Sequence, residues 1–252
     1  MAILTGPLLA APVTVNTVVF DMDGVLTDTA TVHRVAWKQL FDDYLRQRAD
    51  ETGEAFVEFT EDDYLAWVDG KRREDGVASF LRSRGVEPET ALVDDLATRK
   101  NGYFLAIVNR DGVQAFPDTV EFIHSLKAAG VHTALITASR NAAPVLSGAG
   151  LTDLFEVRVD GIVAAEIGLP GKPDPAVFLE AMTRVGGEIA STAIVEDAVS
   201  GVQAGRAGDF TLVIGVDRTD GDEHGARLAA EGADVVVQRL DQLTVDAGGV
   251  PT

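Results

Sequence analysis

The sequence contains no cysteine. This absence excludes disulfide frameworks, thiolate catalysis, and zinc or iron–sulfur sites with cysteine ligands. The remaining composition, with 46% hydrophobic and 24% charged residues, is typical of a soluble globular protein. A chain of 252 residues can form one compact domain with an insertion, or two smaller domains.

Positive charge is scarce. Lysine and arginine total 21 against 40 aspartates and glutamates, which gives a formal net charge of −19. Nucleic acids and anionic membrane surfaces both require clustered positive charge, so we expect neither as a partner. An anionic substrate would have to be held by a local group of basic residues.

The first twenty residues carry no charged side chain. Glycine, proline and asparagine interrupt this stretch, and no basic residue flanks it, so it fits neither a spanning helix nor a signal peptide. We therefore predict a loose N-terminal arm that leads into the first strand of a cytoplasmic protein. At the other end, Asp246–Thr252 is predicted to be a frayed tail.

Short, apolar, β-branched runs recur along the chain and are mostly separated by helical patterns. This alternation predicts an α/β fold with a doubly wound, Rossmann-like parallel sheet, in which ligands bind at the carboxyl ends of the strands. The predicted strands are Asn16–Phe20, His132–Thr137, Phe155–Val159, Thr192–Val195, Thr211–Val216 and Asp234–Val237. A helix is predicted near Pro175, with Gly186 and Gly187 ending it.

The stretch after the first strand has a different pattern. It offers several amphipathic helices and no convincing strand, with capping-box spacing at Thr60 and Asp63 and a proline, Pro88, suited to a first helical turn. A long periodic helix is predicted over Thr90–Ile107. We therefore predict an inserted α-helical cap domain at residues 31–109, and an α/β core formed by residues 1–30 and 110–252.

Two carboxylates, Asp21 and Asp23, follow the first predicted strand directly. Charge at the edge of an apolar core is costly unless a cation or hydrogen bonds compensate for it. Gly24 then permits a sharp turn. The segment indicates a cation-binding site, and a pair of helix-capping aspartates is the alternative. A later strand also ends in two carboxylates, Glu196 and Asp197, which are the oxygen ligands that Mg²⁺ prefers.

Two further segments could bind an anion. Thr137 ends a predicted strand, and Arg140 and Asn141 lie at the start of a helix. Hydroxyl and backbone N–H groups at a helix start form anion sites. The alternative is a simple helix cap. Lys172 lies between a turn and a helix start, in a segment that is not a Walker A loop. The alternative there is a solvated surface lysine.

The order of these four segments resembles the four motifs of the haloacid-dehalogenase superfamily of phosphoryl-transfer enzymes. More narrowly, the chain resembles the β-phosphoglucomutase-like group with an α-helical cap. The segments that carry this narrower resemblance are FDMDGVLTDTATVH, GKRREDGV, RKN, TASRN, GKPDPAVF and VEDAVSGVQAG.

The resemblance implies roles for the core residues. Asp21 would be the nucleophile that accepts the phosphoryl group, and Asp23 would be the general acid and base. Thr137, Ala138 and Lys172 would bind the transferring phosphate. Mg²⁺ would be held by Asp21, the backbone carbonyl of Asp23 and Asp197, with support from Glu196.

The resemblance also implies roles in substrate recognition. Arg73 matches the cap arginine that such mutases use for the phosphate that is not transferred, and Ser139, Arg140 and Asn141 would face it from the core. His33 and Lys100 match residues linked to cap closure, which would exclude water. The chain departs from the group at Asp69, where lysine is common. Its acceptor recognition is therefore expected to differ.

The leading hypothesis is a Mg²⁺-dependent phosphotransferase that moves phosphate between the C1 and C6 hydroxyls of a hexose. A sugar-phosphate phosphatase with the same motifs is the alternative, and a catalytically silent sugar-phosphate sensor is a third candidate. A dehalogenase is disfavoured, because that chemistry does not need Asp23. The expected partner is a small-molecule sugar phosphate, and the protein is expected to be a monomer.

Overall fold

The computed structural model describes residues 1–247, which form two compact units. Among the described residues, 1–28 and 114–247 belong to the core unit, and residues 29–113 form the helical unit. Nine strands lie in the described part of the chain: β1 (Ala2–Thr5), β2 (Val13–Val15), β3 (Thr17–Asp21), β4 (His132–Ile136), β5 (Val157–Val159), β6 (Thr192–Glu196), β7 (Leu212–Val216), β8 (Val235–Val237) and β9 (Thr244–Ala247).

The helices of residues 1–247 are divided between the two units. The helical unit contains α1 (Thr29–Thr52), α2 (Glu61–Trp67), α3 (Arg73–Ser83) and α4 (Thr90–Asp111). The core unit contains α5 (Pro117–Ala128), α6 (Ala142–Gly148), α7 (Gly161–Glu166), α8 (Ala176–Arg184), α9 (Val199–Ala207) and α10 (Glu223–Ala230), with short 3₁₀ turns at Ile189–Ser191 and Leu240–Gln242.

The core unit is built on a parallel sheet of six strands in the order β5-β4-β3-β6-β7-β8. The central strand β3 pairs with β4 on one side and with β6 on the other. Successive strands are added on one side of β3 and then on the other, so the strand order reverses at β3. Open α/β sheets bind ligands at such a reversal. The predicted doubly wound α/β fold is confirmed.

Both faces of the sheet are covered by helices because successive side chains of β3 point to opposite faces. Val19 belongs to the apolar cluster that contains Phe178 and Met182 of α8. Its neighbour Phe20 contacts Phe122 of α5, with ring centroids 6.3 Å apart. A strand buried on both faces must be apolar throughout, which explains the continuous run before Asp21.

The predicted loose N-terminal arm is wrong. Strand β1 pairs antiparallel with β2 and with β9, and together they form a separate sheet of three strands. Ala2 and Leu4 alternate with more exposed neighbours and are fully buried, so this arm has a core-facing side. The predicted frayed tail is also wrong at Asp246 and Ala247, which belong to β9; its residues 248–252 lie outside the described part of the chain.

The helical unit has its own aromatic core. Phe41 of α1 packs against Phe80 of α3 with ring centroids 4.0 Å apart, and Phe59 lies 5.0 Å from each of these rings. The predicted capping box at the start of α2 is confirmed, since Thr60 and Asp63 exchange side-chain and backbone hydrogen bonds. Pro88, in contrast, precedes α4, because extended Glu89 is the N-cap residue.

Arg218 joins three segments of the core unit. Its guanidinium donates to both carboxylate oxygens of Asp118, at 3.0 and 3.2 Å, and to the backbone carbonyl of Gly24 at 3.2 Å. The Leu240 N–H donates to the same carboxylate at 2.8 Å. Burial opposes ionisation of Asp118, but the hydrogen bonds from Arg218 and Leu240 outweigh it and lower the pKa of Asp118.

We predict that Asp118→Asn lowers the free energy of unfolding by about 2 kcal/mol at neutral pH, because Arg218 loses a charged partner in a mostly buried position. Folding lowers the pKa of Asp118. The stability that its ionised carboxylate contributes is therefore complete when the pH is above the unfolded-state pKa of about 3.9. This stability is lost as the pH falls through the folded-state pKa. Urea unfolding at neutral pH and in acid measures both effects.

Asp241→Asn is the matched control for this prediction, because it breaks an arginine–carboxylate pair in which both side chains are about half exposed. Its cost should be much smaller than that of Asp118→Asn, because solvent screens an exposed pair. The role of the ionised Asp118 carboxylate would be contradicted if the two variants lost the same free energy of unfolding. It would also be contradicted if Asp118→Asn stayed less stable than the unmodified protein in strong acid.

Candidate active site

Polar side chains from three strands meet at one edge of the parallel sheet. Asp21 is the last residue of β3 and Glu196 is the last residue of β6, while Thr137 directly follows β4. Because β3 pairs in parallel with both neighbours, the carboxyl ends of these strands lie side by side. The sheet therefore brings together side chains that are far apart in the sequence.

Lys172 is buried between two carboxylates. Its Nζ donates to Asp21 Oδ1 at 2.7 Å and also hydrogen-bonds to Glu196 Oε1. Burial opposes the charged form of Lys172, but the adjacent Asp21 and Glu196 outweigh it and raise the pKa of this lysine. Lys172 therefore stays protonated and supplies a fixed positive charge. The alternative of a solvated surface lysine is wrong, because Lys172 is only 8% exposed.

Asp21 is itself buried, and burial raises its pKa well above the ordinary value. The Lys172 ammonium opposes this shift, while Glu196 and Asp23 add to it. The other oxygen of Asp21, Oδ2, accepts the backbone N–H of Asp23 at 2.8 Å. Asp21 is thus held at both carboxylate oxygens, in a site where negative charge is in excess.

Asp23 is linked to Thr137. The Thr137 hydroxyl donates to Asp23 Oδ2 at 2.8 Å, and the N–H of Ser139 donates to the same hydroxyl oxygen at 3.0 Å. The hydroxyl therefore connects the loop after β4 to the carboxylate beside Asp21. The helix-cap alternative for Thr137 is wrong, since Asn141 is the N-cap residue of α6.

Asp21, Glu196 and Asp197 can each offer a carboxylate oxygen within 4.8 Å of the others. The Asp23 side chain lies outside this cluster and contacts Thr137 instead. Gly24 has a φ of +81°, and a Cβ built on it would lie 1.7 Å from Asp197 Oδ2. Position 24 therefore has no space for a side chain beside the carboxylate of Asp197. Three carboxylates with a single lysine leave negative charge uncompensated, and this oxygen donor set fits Mg²⁺.

The loop after β4 contains the other predicted anion-binding residues. Ser139 is buried, and its Oγ accepts the N–H of Asn141 at 3.1 Å, while the side chain of Arg140 is exposed. Ala138 lies against Gly161, whose Cβ would be 2.5 Å from the Ala138 carbonyl oxygen. The sequence reading missed Gly161. Its signal was the Asp160-Gly161 pair directly after β5, which has the same residue types as Asp23-Gly24 in the loop after β3.

The predicted cap residues lie in the helical unit. His33 of α1 and Lys100 of α4 contact each other through Nδ1 and Nζ. The His33 ring stacks on Phe104 at 4.4 Å, and the Lys100 ammonium lies 5.0 Å from the centroids of both Trp37 and Phe104. Arg73 is the first residue of α3. The structure therefore pairs His33 with Lys100 and places Arg73 on a separate helix of the same unit.

Within residues 1–247, no helix combines the length and the apolar character needed to cross a bilayer.

Known proteins are similar to this chain along most of its length. The family described as haloacid dehalogenase-like hydrolase matches residues 15–209. A β-phosphoglucomutase of Mycobacterium bovis is 43% identical over 246 residues, which cover 94% of both proteins. A β-phosphoglucomutase of Bacillus subtilis is 31% identical over 233 residues, covering 91% of this chain and 92% of that protein.

The fold is also similar to a solved structure. The crystal structure of a β-phosphoglucomutase from Clostridium difficile superposes with a TM-score of 0.71 at 23% identity, covering 90% of this chain and 92% of that one. At that identity the likeness concerns the fold alone, whereas the sequence relatives establish the family. The chain belongs to the haloacid dehalogenase-like hydrolases, in the β-phosphoglucomutase-like group, and is an enzyme of the phosphotransferase or phosphatase type.

Proposed function

We propose that the chain is a Mg²⁺-dependent phosphotransferase that moves phosphate between the C1 and C6 hydroxyls of a β-hexose by way of phosphorylated Asp21. The observation that carries the proposal is the position of Asp21, whose two oxygens contact Lys172 and the Asp23 backbone at the end of the central strand. The 43% identity to a β-phosphoglucomutase supports the choice of substrate class.

The proposed reaction has two half-reactions linked by a hexose bisphosphate: the second, acting on a hexose 1-phosphate, forms the bisphosphate, and the first then removes its C1 phosphate. In the first, an Asp21 oxygen attacks phosphorus, the bond from phosphorus to the sugar oxygen breaks, and Asp23 gives its proton to that oxygen. In the second, Asp23 takes the proton of the acceptor hydroxyl, whose oxygen attacks phosphorus while the Asp21–phosphorus bond breaks. Before the substrate binds, the Thr137 hydroxyl donates its hydrogen to the Asp23 carboxylate and holds it in one orientation.

In the proposed mechanism, Asp21, Asp197 and the Asp23 carbonyl hold Mg²⁺, and Glu196 supports them. When bound, the ion supplies positive charge that stabilises the transferring phosphoryl group. Lys172 supplies a second positive charge from a fixed position, so it needs little rearrangement during the reaction. The Thr137 hydroxyl and the backbone of Ala138 are proposed to bind the phosphoryl oxygens from the other strand end.

A sugar-phosphate phosphatase remains the second candidate, because the matching family is described as one of hydrolases. The two functions share the first half-reaction and differ in whether water or a sugar hydroxyl attacks phosphorylated Asp21. As part of the main proposal, the protein acts as a cytoplasmic monomer on a small-molecule sugar phosphate, and Arg73 binds the phosphate that is not transferred.

Arg73→Ala separates the two candidates. We expect phosphohexose isomerisation to fall at least about a hundredfold, because a bisphosphate must be held at both ends and one charge-assisted pair contributes about 2–4 kcal/mol. Hydrolysis of an aryl phosphate, which has a single phosphate, should fall far less. The measurement compares rates on β-glucose 1-phosphate, with a glucose bisphosphate primer, and on the aryl phosphate.

Arg82→Ala is the matched control, since Arg82 is an exposed arginine in the last turn of the same helix. It should leave both rates unchanged. If Arg73→Ala lowers both rates equally, Arg73 does not bind a second phosphate. If the unmodified protein only releases inorganic phosphate from the sugar substrate, the phosphatase function replaces the mutase.

A further inference from the structure

His224 contacts the candidate metal site from a segment that contains none of the four motifs. It is the second residue of α10, after β7, and it is 9% exposed. Its Nε2 lies 2.7 Å from the backbone carbonyl oxygen of Asp197. A carbonyl can only accept, so Nε2 must carry the hydrogen of this bond. Nδ1 is buried and has no hydrogen-bond partner within residues 1–247.

The imidazole is carried by an anchored segment. Asp217, directly after β7, accepts the Thr219 N–H at Oδ1 and the Gly225 N–H at Oδ2, at 2.9 and 2.8 Å. The second bond fixes the first turn of α10 next to His224. Arg218 anchors the start of the same segment through Asp118 and the Gly24 carbonyl. His224 is therefore presented by a loop tied at several points to the core unit.

The accepting carbonyl belongs to a residue whose orientation matters. Asp197 lies between the end of β6 and the start of α9, outside both elements. Its carboxylate is one of the three that form the acidic cluster, and one of its oxygens fills the space that the missing Cβ of Gly24 leaves open. A hydrogen bond to the Asp197 backbone carbonyl restricts rotation of the peptide group between residues 197 and 198. It therefore also restricts the direction in which the Asp197 carboxylate points.

We propose that His224 is a positioning residue for the metal site: its Nε2–H holds the Asp197 peptide so that the carboxylate faces the cation. This inference rests on the proposed function, because it assumes that Asp197 binds Mg²⁺. Residues that orient metal ligands through a hydrogen bond typically change metal affinity about 10–100-fold when replaced. His224 acts through Asp197 and makes no contact with the substrate in this account.

Three variants separate the hydrogen bond from simple packing. His224→Leu keeps much of the volume and removes the donor. His224→Gln keeps an amide N–H near the place of Nε2, whereas the shorter His224→Asn cannot reach the Asp197 carbonyl. We expect His224→Leu and His224→Asn to weaken Mg²⁺ binding about tenfold. His224→Gln should stay within about threefold of the unmodified protein.

Binding is measured by calorimetric titration of the full chain with MgCl₂, without substrate, beside the melting temperature of each variant. His132→Leu is the control, since His132 is exposed and pairs with Glu156. If His224→Leu and His224→Asn lower only the melting temperature, His224 is a packing residue and the inference is wrong. The inference is also wrong if His224→Gln loses as much Mg²⁺ affinity as His224→Leu and His224→Asn do.

Two further outcomes are distinguishable. If His224→Leu does not fold, the comparison of His224→Gln with His224→Asn decides the question, because both carry the same amide at different reach. If the unmodified protein binds no Mg²⁺, the proposed function fails and this inference fails with it. Unchanged affinity in His224→Leu, beside clear binding by the unmodified protein, overturns the inference alone.

Discussion

Asp21→Asn is expected to abolish turnover, with a loss of at least about 10⁵-fold, because an amide cannot attack phosphorus and no other group in the proposed mechanism forms the covalent bond. The fold should persist. The new side chain can still accept the Asp23 N–H, and removing its charge relieves repulsion from Glu196 and Asp23. Steady-state rates and thermal melting by circular dichroism measure the two effects.

The nucleophile assignment for Asp21 has a direct physical readout. The unmodified protein, quenched in acid during turnover, should carry a phosphoryl group that mass spectrometry places on the peptide containing Asp21. Asp153→Asn, at an exposed aspartate of the core unit, is the control and should change nothing. Activity of Asp21→Asn within about tenfold of the unmodified protein would contradict the assignment.

Asp23→Asn should slow turnover on the sugar phosphate by about 10²–10⁴-fold, the usual contribution of general acid and base catalysis. Asparagine keeps an acceptor oxygen for the Thr137 hydroxyl, so the geometry of the loop should survive. Mg²⁺ affinity should change little, because the Asp23 side chain lies outside the acidic cluster and the proposed ligand is its backbone carbonyl.

The leaving group provides a sharper test of the same residue. An aryl phosphate with an acidic phenol needs no proton on its leaving oxygen, so its first turnover should be much less sensitive to Asp23→Asn than the turnover of a sugar phosphate. The burst of released phenol measures that step. A large loss of Mg²⁺ binding, with rates restored by excess metal, would instead make the Asp23 side chain a ligand.

Much of the core unit could be predicted from sequence because its strands are buried on both faces. Such strands are continuous apolar runs, and the residue after each run lies at the edge of the sheet, where Asp21, Thr137 and Glu196 are found. The parallel arrangement then brings these residues together. Lys172 was assigned to the site only through the family resemblance, because it comes from a loop with no periodic signal, and its contacts with Asp21 and Glu196 were not predicted.

Other features depend on partners that local sequence does not reveal. Strand β1 is only four residues long, and it is a strand because it pairs with β2 and with β9, which is distant in the sequence. His224 and Arg218 lie in a polar, glycine-containing stretch after β7, which is the usual composition of a solvated loop. Their contacts with Asp197 and Gly24 are set by tertiary structure, so no spacing rule could have found them.

The division of the chain also has a consequence for the order in which the protein folds during synthesis. Strand β3 leaves the ribosome before the helical unit, and its neighbours β4 and β6 are translated only after that unit. Residues 29–113 are contiguous and can close their aromatic core around Phe41 and Phe80 through local contacts. The strand that carries Asp21 must wait for long-range pairing, which is intrinsically slow. The helical unit should therefore be compact while β3 is still unpaired in the nascent chain.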